Sequence, residues 1–195
     1  MGDIKSAWEK AMEKAEQLGK PTDEELKKLE HIPTGNAIAA KYLNDEKYSL
    51  DAEITKYKGS GIRQYIVWGV QETFLRNISL PHDERDKNLL NRAVNGIRML
   101  KDNKKQIDVV LDHVKNIINY YEQARQHTFS QFKKDFETKV KEAGKMMQQM
   151  PQSGSSIEAQ LQQQFQEEWR ATIKEIDVQY EKALEEQRQQ ILKIT

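Results

Sequence analysis

The chain has 195 residues, of which 37% are hydrophobic and 32% charged, and its 31 basic and 31 acidic side chains cancel. This neutral balance gives no electrostatic reason to expect a nucleic acid as partner, because nucleic-acid-binding proteins usually carry a basic excess. The absence of cysteine excludes disulfides, thiolate nucleophiles and cysteine metal ligands.

The first predicted element is a helix that follows Asp3, a residue type suited to the N-cap. Its apolar positions recur at helical spacing up to Leu18, and Gly19 is placed to end it. The segment has acidic side chains from Asp3 onward and no apolar run of signal-peptide length. We therefore expect a cytoplasmic protein.

Three short helical pieces are predicted next. The first ends near His31, because Pro33 and Gly35 interrupt the helical pattern before a second piece over residues 36–44. The third covers residues 50–57. Helices shorter than about 12 residues are marginal alone, so these pieces must pack against another element.

That element is a predicted helix over residues 62–78, the centre of an N-terminal module of residues 1–102. The helix is apolar on more than one face, which is typical of a central helix. A capped helix after Pro81 has one apolar face and completes the module. The large side chains expected in the core are Tyr65, Trp68 and Phe74.

Residues 103–195 are predicted to form a long antiparallel helical hairpin with its tip at residues 151–156. Apolar residues step by three and four along both arms, and a short tip makes the arms neighbours. The first ladder has a gap around Arg125 that resembles a stutter in a heptad pattern.

The charges of the two arms support this pairing. Residues 103–150 hold nine basic and six acidic side chains, and residues 151–195 hold five basic and eight acidic, so the arms carry +3 and −3. If Met150 faces Ile157 across the tip, the numbers of facing residues sum to about 307, which places Lys139 near Glu167 and Glu168. Such exposed ion pairs specify register more than they add stability.

The loop Gly59-Ser60-Gly61-Ile62-Arg63 is the candidate for binding phosphate or another anion. It lacks the Walker spacing, and it lacks both the third glycine and the preceding strand of a dinucleotide loop. The favoured interpretation is that Gly59 ends one helix and Ser60 caps the next. The alternative is an anion site at Ser60, Gly61 and Arg63, in an anion- or nucleotide-binding module or enzyme.

No catalytic or metal-binding constellation is predicted. Helical di-iron proteins use Glu-x-x-His pairs, and none of the four histidines has an acid at that spacing before it. Acidic side chains repeat along polar helix faces, and no nucleophile lies in a strained turn. We expect no catalytic residue, cofactor or metal. The histidines are His31, His82, His113 and His127.

Lysines between residues 133 and 145 interleave with phenylalanines, a pattern that can indicate stacking on nucleic acid. The phenylalanines follow the apolar ladder and the lysines its flanks, which favours an ordinary amphipathic helix. A two-helix hairpin buries too little of such large side chains, so we expect it to self-associate as a homodimer. The predicted interaction residues are Phe129, Phe132, Phe136, Phe165, Trp169 and Tyr180.

Two stretches carry a resemblance to a family. The first is DIKSAWEKAMEKAE, residues 3–16, and the second is RQYIVWGVQETFLRNISLP, which ends at Pro81. These stretches resemble the IKSA-type N-terminus and the LLRNI-x-LP-type helix joint of an uncharacterised family of bacterial all-helical proteins, a domain of unknown function. The resemblance implies a bacterial cytosolic protein and supplies no activity.

Together these patterns predict an all-α protein, with a module of short helices and a long coiled-coil-like hairpin. The expected function is that of a non-enzymatic scaffold or protein–protein interaction protein. The alternative is a stalk-like or secretion-adaptor-like subunit of a larger complex. Membrane insertion is not expected, because the most apolar run, residues 66–70, is far shorter than the about 20 residues of a membrane helix.

Overall fold

The structure is a computed structural model that describes residues 22–147 and 154–194, with side chains over residues 22–142 and 160–194. These residues form helices and no strand, so the predicted all-α class is confirmed. The helix predicted after Asp3 lies outside the described residues. The helices are α1 (Asp23–Asn44), α2 (Leu50–Thr55), α3 (Arg63–Asn77), α4 (Glu84–Leu100), α5 (Lys104–Met147) and α6 (Gly154–Lys193).

The chain divides into two compact units, Met1–Arg76 and Asn77–Thr195. This division lies before the predicted boundary after residue 102, and α4 packs with α5 within the second unit. Arg98 of α4 contacts Asp108 of α5 at 2.6 Å, and the apolar face of α4 is buried.

Helix α1 begins with a capping box, in which the Thr22 hydroxyl accepts from the Glu25 N–H and the Glu25 carboxylate accepts from the Thr22 N–H. The helix then continues through Pro33 and Gly35 to Asn44. The predicted break at Pro33 and Gly35 is therefore wrong. A proline inside a helix costs about 3 kcal/mol, so other contacts must offset this cost.

Those contacts come from a close crossing of α1 and α3 at two glycines. A Cβ atom on Gly35 would lie 2.1 Å from the carbonyl oxygen of Ile66, and one on Gly69 would lie 2.3 Å from that of Ile32. Next to the crossing, the Thr73 hydroxyl lies 3.1 Å from the side-chain oxygen of Asn36. The backbones of the two helices are therefore in direct contact.

The predicted central helix forms as α3 and buries most of its predicted core. Tyr65 and Phe74 are buried, and Phe74 contacts the Tyr42 ring edge-on at 5.5 Å. The prediction for Trp68 is wrong, because its side chain is 47% exposed. Trp68 lies about 100° round the helix from its neighbour Gly69, which faces α1. Its ring instead contacts the Lys28 ammonium, at 5.3 Å from the ring centroid.

This difference between two aromatic residues of α3 is testable. We expect Phe74→Ala to lower the free energy of unfolding by about 3–5 kcal/mol, because the ring is fully buried. The matched variant Trp68→Ala should cost about 1–2 kcal/mol, since roughly half of the ring is already in water. Urea denaturation measures both, and equal losses would contradict the exposed position of Trp68.

The second unit has a core built from α4, α5 and α6. Lys101 is buried in this unit, and its ammonium donates to the Ile194 carbonyl oxygen at 2.6 Å. Burial lowers the pKa of Lys101. The buried apolar side chains are Leu90, Val94 and Ile97 of α4, Ile107, Leu111, Val114, Ile118 and Tyr121 of α5, Leu184 and Ile191 of α6, and Ile194.

Helices α5 and α6 are antiparallel, because residue numbers fall along α6 as they rise along α5 at successive contacts. The predicted proximity of Lys139 and Glu168 is confirmed, with 3.3 Å between the ammonium and the carboxylate. The predicted register is otherwise wrong. It sets Phe129 opposite residue 178, whereas the Phe129 ring packs on Trp169 at 5.0 Å. Residues 148–153, which include part of the predicted tip, lie outside the described residues.

Candidate functional site

The helix pair carries a cluster of aromatic rings where α5 and α6 face each other. Adjacent rings contact across the pair, with centroids 5.0 Å apart for Phe129 and Trp169, for Phe132 and Phe165, and for Phe136 and Phe165. Edge-on and tilted arrangements of this kind are favourable for aromatic rings. We call these residues, Phe129, Phe132, Phe136, Phe165 and Trp169, the aromatic cluster.

The aromatic cluster brings together all but one of the predicted interaction residues. The exception, Tyr180, lies nearer the core, where its ring contacts Tyr121 at 5.6 Å. The buried Tyr121 hydroxyl donates to Asp177 at 2.8 Å, and burial raises the pKa of Tyr121. The Tyr180 hydroxyl donates to the Tyr120 carbonyl oxygen. These bonds give Tyr180 a structural role, while its part in an interaction stays a prediction.

The aromatic cluster is incompletely buried. Phe129 is 40% exposed, and the other rings of the cluster are partly exposed. Among the side chains described beyond Tyr121 in α5 and before Leu184 in α6, none is fully buried. In this part of the pair each long helix covers only one stripe of its neighbour, which leaves apolar surface open to water.

An apolar groove runs along the aromatic cluster. It is lined by Phe136 and Val140 of α5 and by Leu161 and Phe165 of α6. Charged side chains stand at its edge on α5, Glu137 and Lys141 among them. Contiguous exposed apolar surface of this kind, with a polar rim, is typical of protein interaction sites.

Two arginines hold the connection between α3 and α4, which we call the joint and define as residues 78–83. Arg188 of α6 donates from Nε and Nη2 to the Ile78 carbonyl oxygen, at 2.9 and 2.7 Å. Arg125 of α5 donates from Nη1 to the His82 carbonyl oxygen at 3.2 Å. Both arginines thus bind backbone oxygens that lie outside any helix.

Neither arginine was expected to have this role from the sequence. The signal for Arg125 was the gap in the apolar ladder, interpreted as a stutter. In the structure α5 is one continuous helix, and Arg125 lies where the joint leads into α4. The gap therefore marks the position along α5 at which α4 begins to pack against the pair of α5 and α6.

The loop over residues 59–63 differs in part from its prediction. Gly59 has a φ of +81°, a conformation suited to ending a helical turn. Ser60 does not cap α3, because its hydroxyl donates back to the Tyr57 carbonyl oxygen at 2.7 Å. The Arg63 N–H bonds locally to the Ser60 carbonyl oxygen. An anion site at Ser60, Gly61 and Arg63 stays a prediction.

Histidines and acidic residues do not converge on a metal centre within residues 22–147 and 154–194, where no group of three possible ligands is found. In the same residues, no helix combines the length and apolar character needed to cross a membrane.

The exposed lysines Lys133 and Lys134 flank the aromatic cluster, and Lys133 pairs with Glu137 at 3.9 Å.

The fold and the site define an all-α protein in which two long antiparallel helices carry a partly exposed aromatic cluster. The chain belongs to a family of unknown function, DUF6657, whose model matches residues 51–193. No curated protein and no solved structure matches the sequence. The expected membership of an uncharacterised family is confirmed, whereas bacterial origin and the two sequence motifs stay predictions.

Proposed function

We propose that the protein is a non-enzymatic helical scaffold that binds a second copy of its own chain through the aromatic cluster. The observation that carries this proposal is the partial exposure of five contacting rings on the helix pair. Covering the part of these rings that is still exposed is favourable, because each Å² of apolar surface removed from water contributes about 25 cal/mol.

The charges beside the aromatic cluster support a second copy as the partner. Lys133 and Lys134 are exposed on α5, and Glu167 is exposed on α6. Within one chain, Lys139 already pairs with Glu168 across the helices. In a two-fold dimer the basic flank of α5 can face the acidic flank of α6 on the other chain, and symmetry forms the same contact twice.

Replacing Phe136 with glutamate is expected to abolish self-association. Phe136 lines the apolar groove, and a carboxylate there would be buried without a partner in the dimer. Sedimentation equilibrium should give twice the mass of one chain for the native protein and the mass of one chain for the variant. Val109→Glu is the matched control, since Val109 is 57% exposed on α5 far from the groove, and it should leave the mass doubled.

The alternative is a stalk-like or adaptor subunit that offers the same groove to a different, larger protein. It shares the observation of the exposed rings and differs in the oligomeric state. A native protein that sediments as a monomer at high micromolar concentration would contradict the homodimer and favour this alternative. In either case, circular dichroism should show that Phe136→Glu keeps the helical content of the native protein, because one substitution at a partly exposed position leaves α5 helical.

A further inference from the structure

A concave pocket lies where the joint meets the base of the aromatic cluster, and we call it the joint pocket. Its volume is about 630 Å³, within the range of about 300–1,000 Å³ that holds small ligands. Its walls come from the joint, the start of α4, and both long helices. Its charged and aromatic lining includes Glu84, Lys87, Glu122, Arg125, Phe129 and Trp169.

The pocket contains a guanidinium with an unused edge. Arg125 donates to the joint through Nη1 alone. In the part of the chain that the structure describes, its Nε and Nη2 have no acceptor. These two nitrogens form the planar fork that binds a carboxylate with two parallel hydrogen bonds. Arg125 is half-buried, which strengthens such a bond relative to one in water.

The other charged groups of the joint pocket limit which anions it can take. Glu122 is neutralised by Lys87, which contacts it at 2.8 Å. Asp83 accepts the N–H of Asp86 and caps α4, while Glu84 is exposed at the start of the same helix. The exposed acids repel a multiply charged anion such as phosphate or citrate, whereas a single carboxylate can be balanced by the Arg125 fork.

The apolar wall of the pocket comes from Phe129 and Trp169, whose rings meet edge-on with centroids 5.0 Å apart. We propose that the joint pocket binds a monocarboxylate with an aromatic or aliphatic body, its carboxylate on Arg125 and its body on these two rings. The carboxylate can belong to a small organic acid or to the C terminus of a peptide that ends in an apolar residue. The pocket shares Phe129 and Trp169 with the aromatic cluster, whereas the groove residue Phe136 does not line it.

The test is a titration of the full-length protein with 3-phenylpropionate, followed by NMR at the Trp169 indole N–H and the Arg125 Nε–H. We expect saturable shifts of both signals and at least about tenfold weaker binding for 3-phenylpropionamide, which has the same body without the charge. Equal binding of acid and amide, or no binding of the acid at millimolar concentration, would overturn the proposal. Inorganic phosphate or citrate that bound as tightly would do the same.

Variants localise the binding. Arg125→Lys keeps the charge but removes the fork, and it should weaken binding of 3-phenylpropionate at least about tenfold, whereas Arg170→Gln, an exposed arginine of α6, should not change it. Phe136→Glu leaves the lining of the pocket unchanged and should bind 3-phenylpropionate at least as tightly as the native chain, so a failed dimer and a failed pocket are distinguishable. Acetyl-Ala-Ala-Phe with a free C terminus identifies a peptide end as the ligand if it binds more tightly than 3-phenylpropionate, and a small acid if it binds less tightly.

Discussion

Gly35→Ala is expected to lower the free energy of unfolding by about 3 kcal/mol or more. The new methyl group would lie 2.1 Å from the Ile66 carbonyl oxygen and 2.9 Å from the Val70 nitrogen, both of which are backbone atoms and cannot rotate away. Helices α1 and α3 must therefore separate, which costs packing along the whole crossing. Gly69→Ala should have a similar effect, since its Cβ would lie 2.3 Å from the Ile32 carbonyl oxygen.

The control is Gly61→Ala. An added Cβ at Gly61 meets no described atom within 4 Å, and its φ is not positive. This variant should raise the free energy of unfolding by about 1 kcal/mol or less, because alanine restricts the unfolded chain. Denaturant titration compares the three variants. A Gly35→Ala protein as stable as Gly61→Ala would show that α1 and α3 do not cross so closely.

Arg188→Met is expected to cost about 2–4 kcal/mol. The Arg188 side chain is only 14% exposed, and it contacts Glu181 at 2.6 Å and Glu185 at 2.8 Å while donating two hydrogen bonds to the Ile78 carbonyl oxygen. Methionine retains the apolar volume and removes every donor. The carbonyl oxygen of the buried Ile78 then loses both charged donors, which costs more than the net value of the bonds, whereas the half-exposed carboxylates are solvated and add little.

Two further variants separate the clamp from its surface ion pairs. Glu185→Gln should cost less than about 1 kcal/mol, because the Glu185 carboxylate is 52% exposed and solvent screens the pair. Arg188→Lys should fall between the two, since one ammonium cannot reach all three acceptors. Hydrogen exchange of the joint amides reports the local effect. If Arg188→Met left those amides as protected as in the native chain, the clamp would not hold the joint.

What the sequence can predict follows from periodicity. Helical class, the extent of α3 and the rings of the aromatic cluster all depend on spacing along one helix, which a single sequence contains. The glycine crossing does not, because Gly35 is required by Gly69, a residue of another helix. Proline and glycine in one helix therefore predict a break that the packing overrides.

The remaining differences have the same origin. Whether Trp68 is covered depends on which face of α3 packs against its neighbours. The apolar residues of α3 lie on more than one face, so their spacing does not specify which face is covered. The register of α5 and α6 follows contacts between aromatic side chains, such as Phe129 and Trp169, whereas the alignment predicted from the tip, with Met150 facing Ile157, differs by nine residues at Phe129. The roles of Arg125 and Arg188 depend on carbonyl oxygens of a distant joint, which no spacing reveals.

Helix α5 runs without interruption from the core of the second unit into the helix pair. Its first turns are fixed by two neighbouring helices, and its later turns by one. The free energy of local opening should therefore fall along a single helix, from near that of global unfolding at Ile107 to much less beyond Phe136. A molecule that covers the aromatic cluster would add its binding energy where the chain is least stable, so occupancy and helical order at that end rise together by mass action.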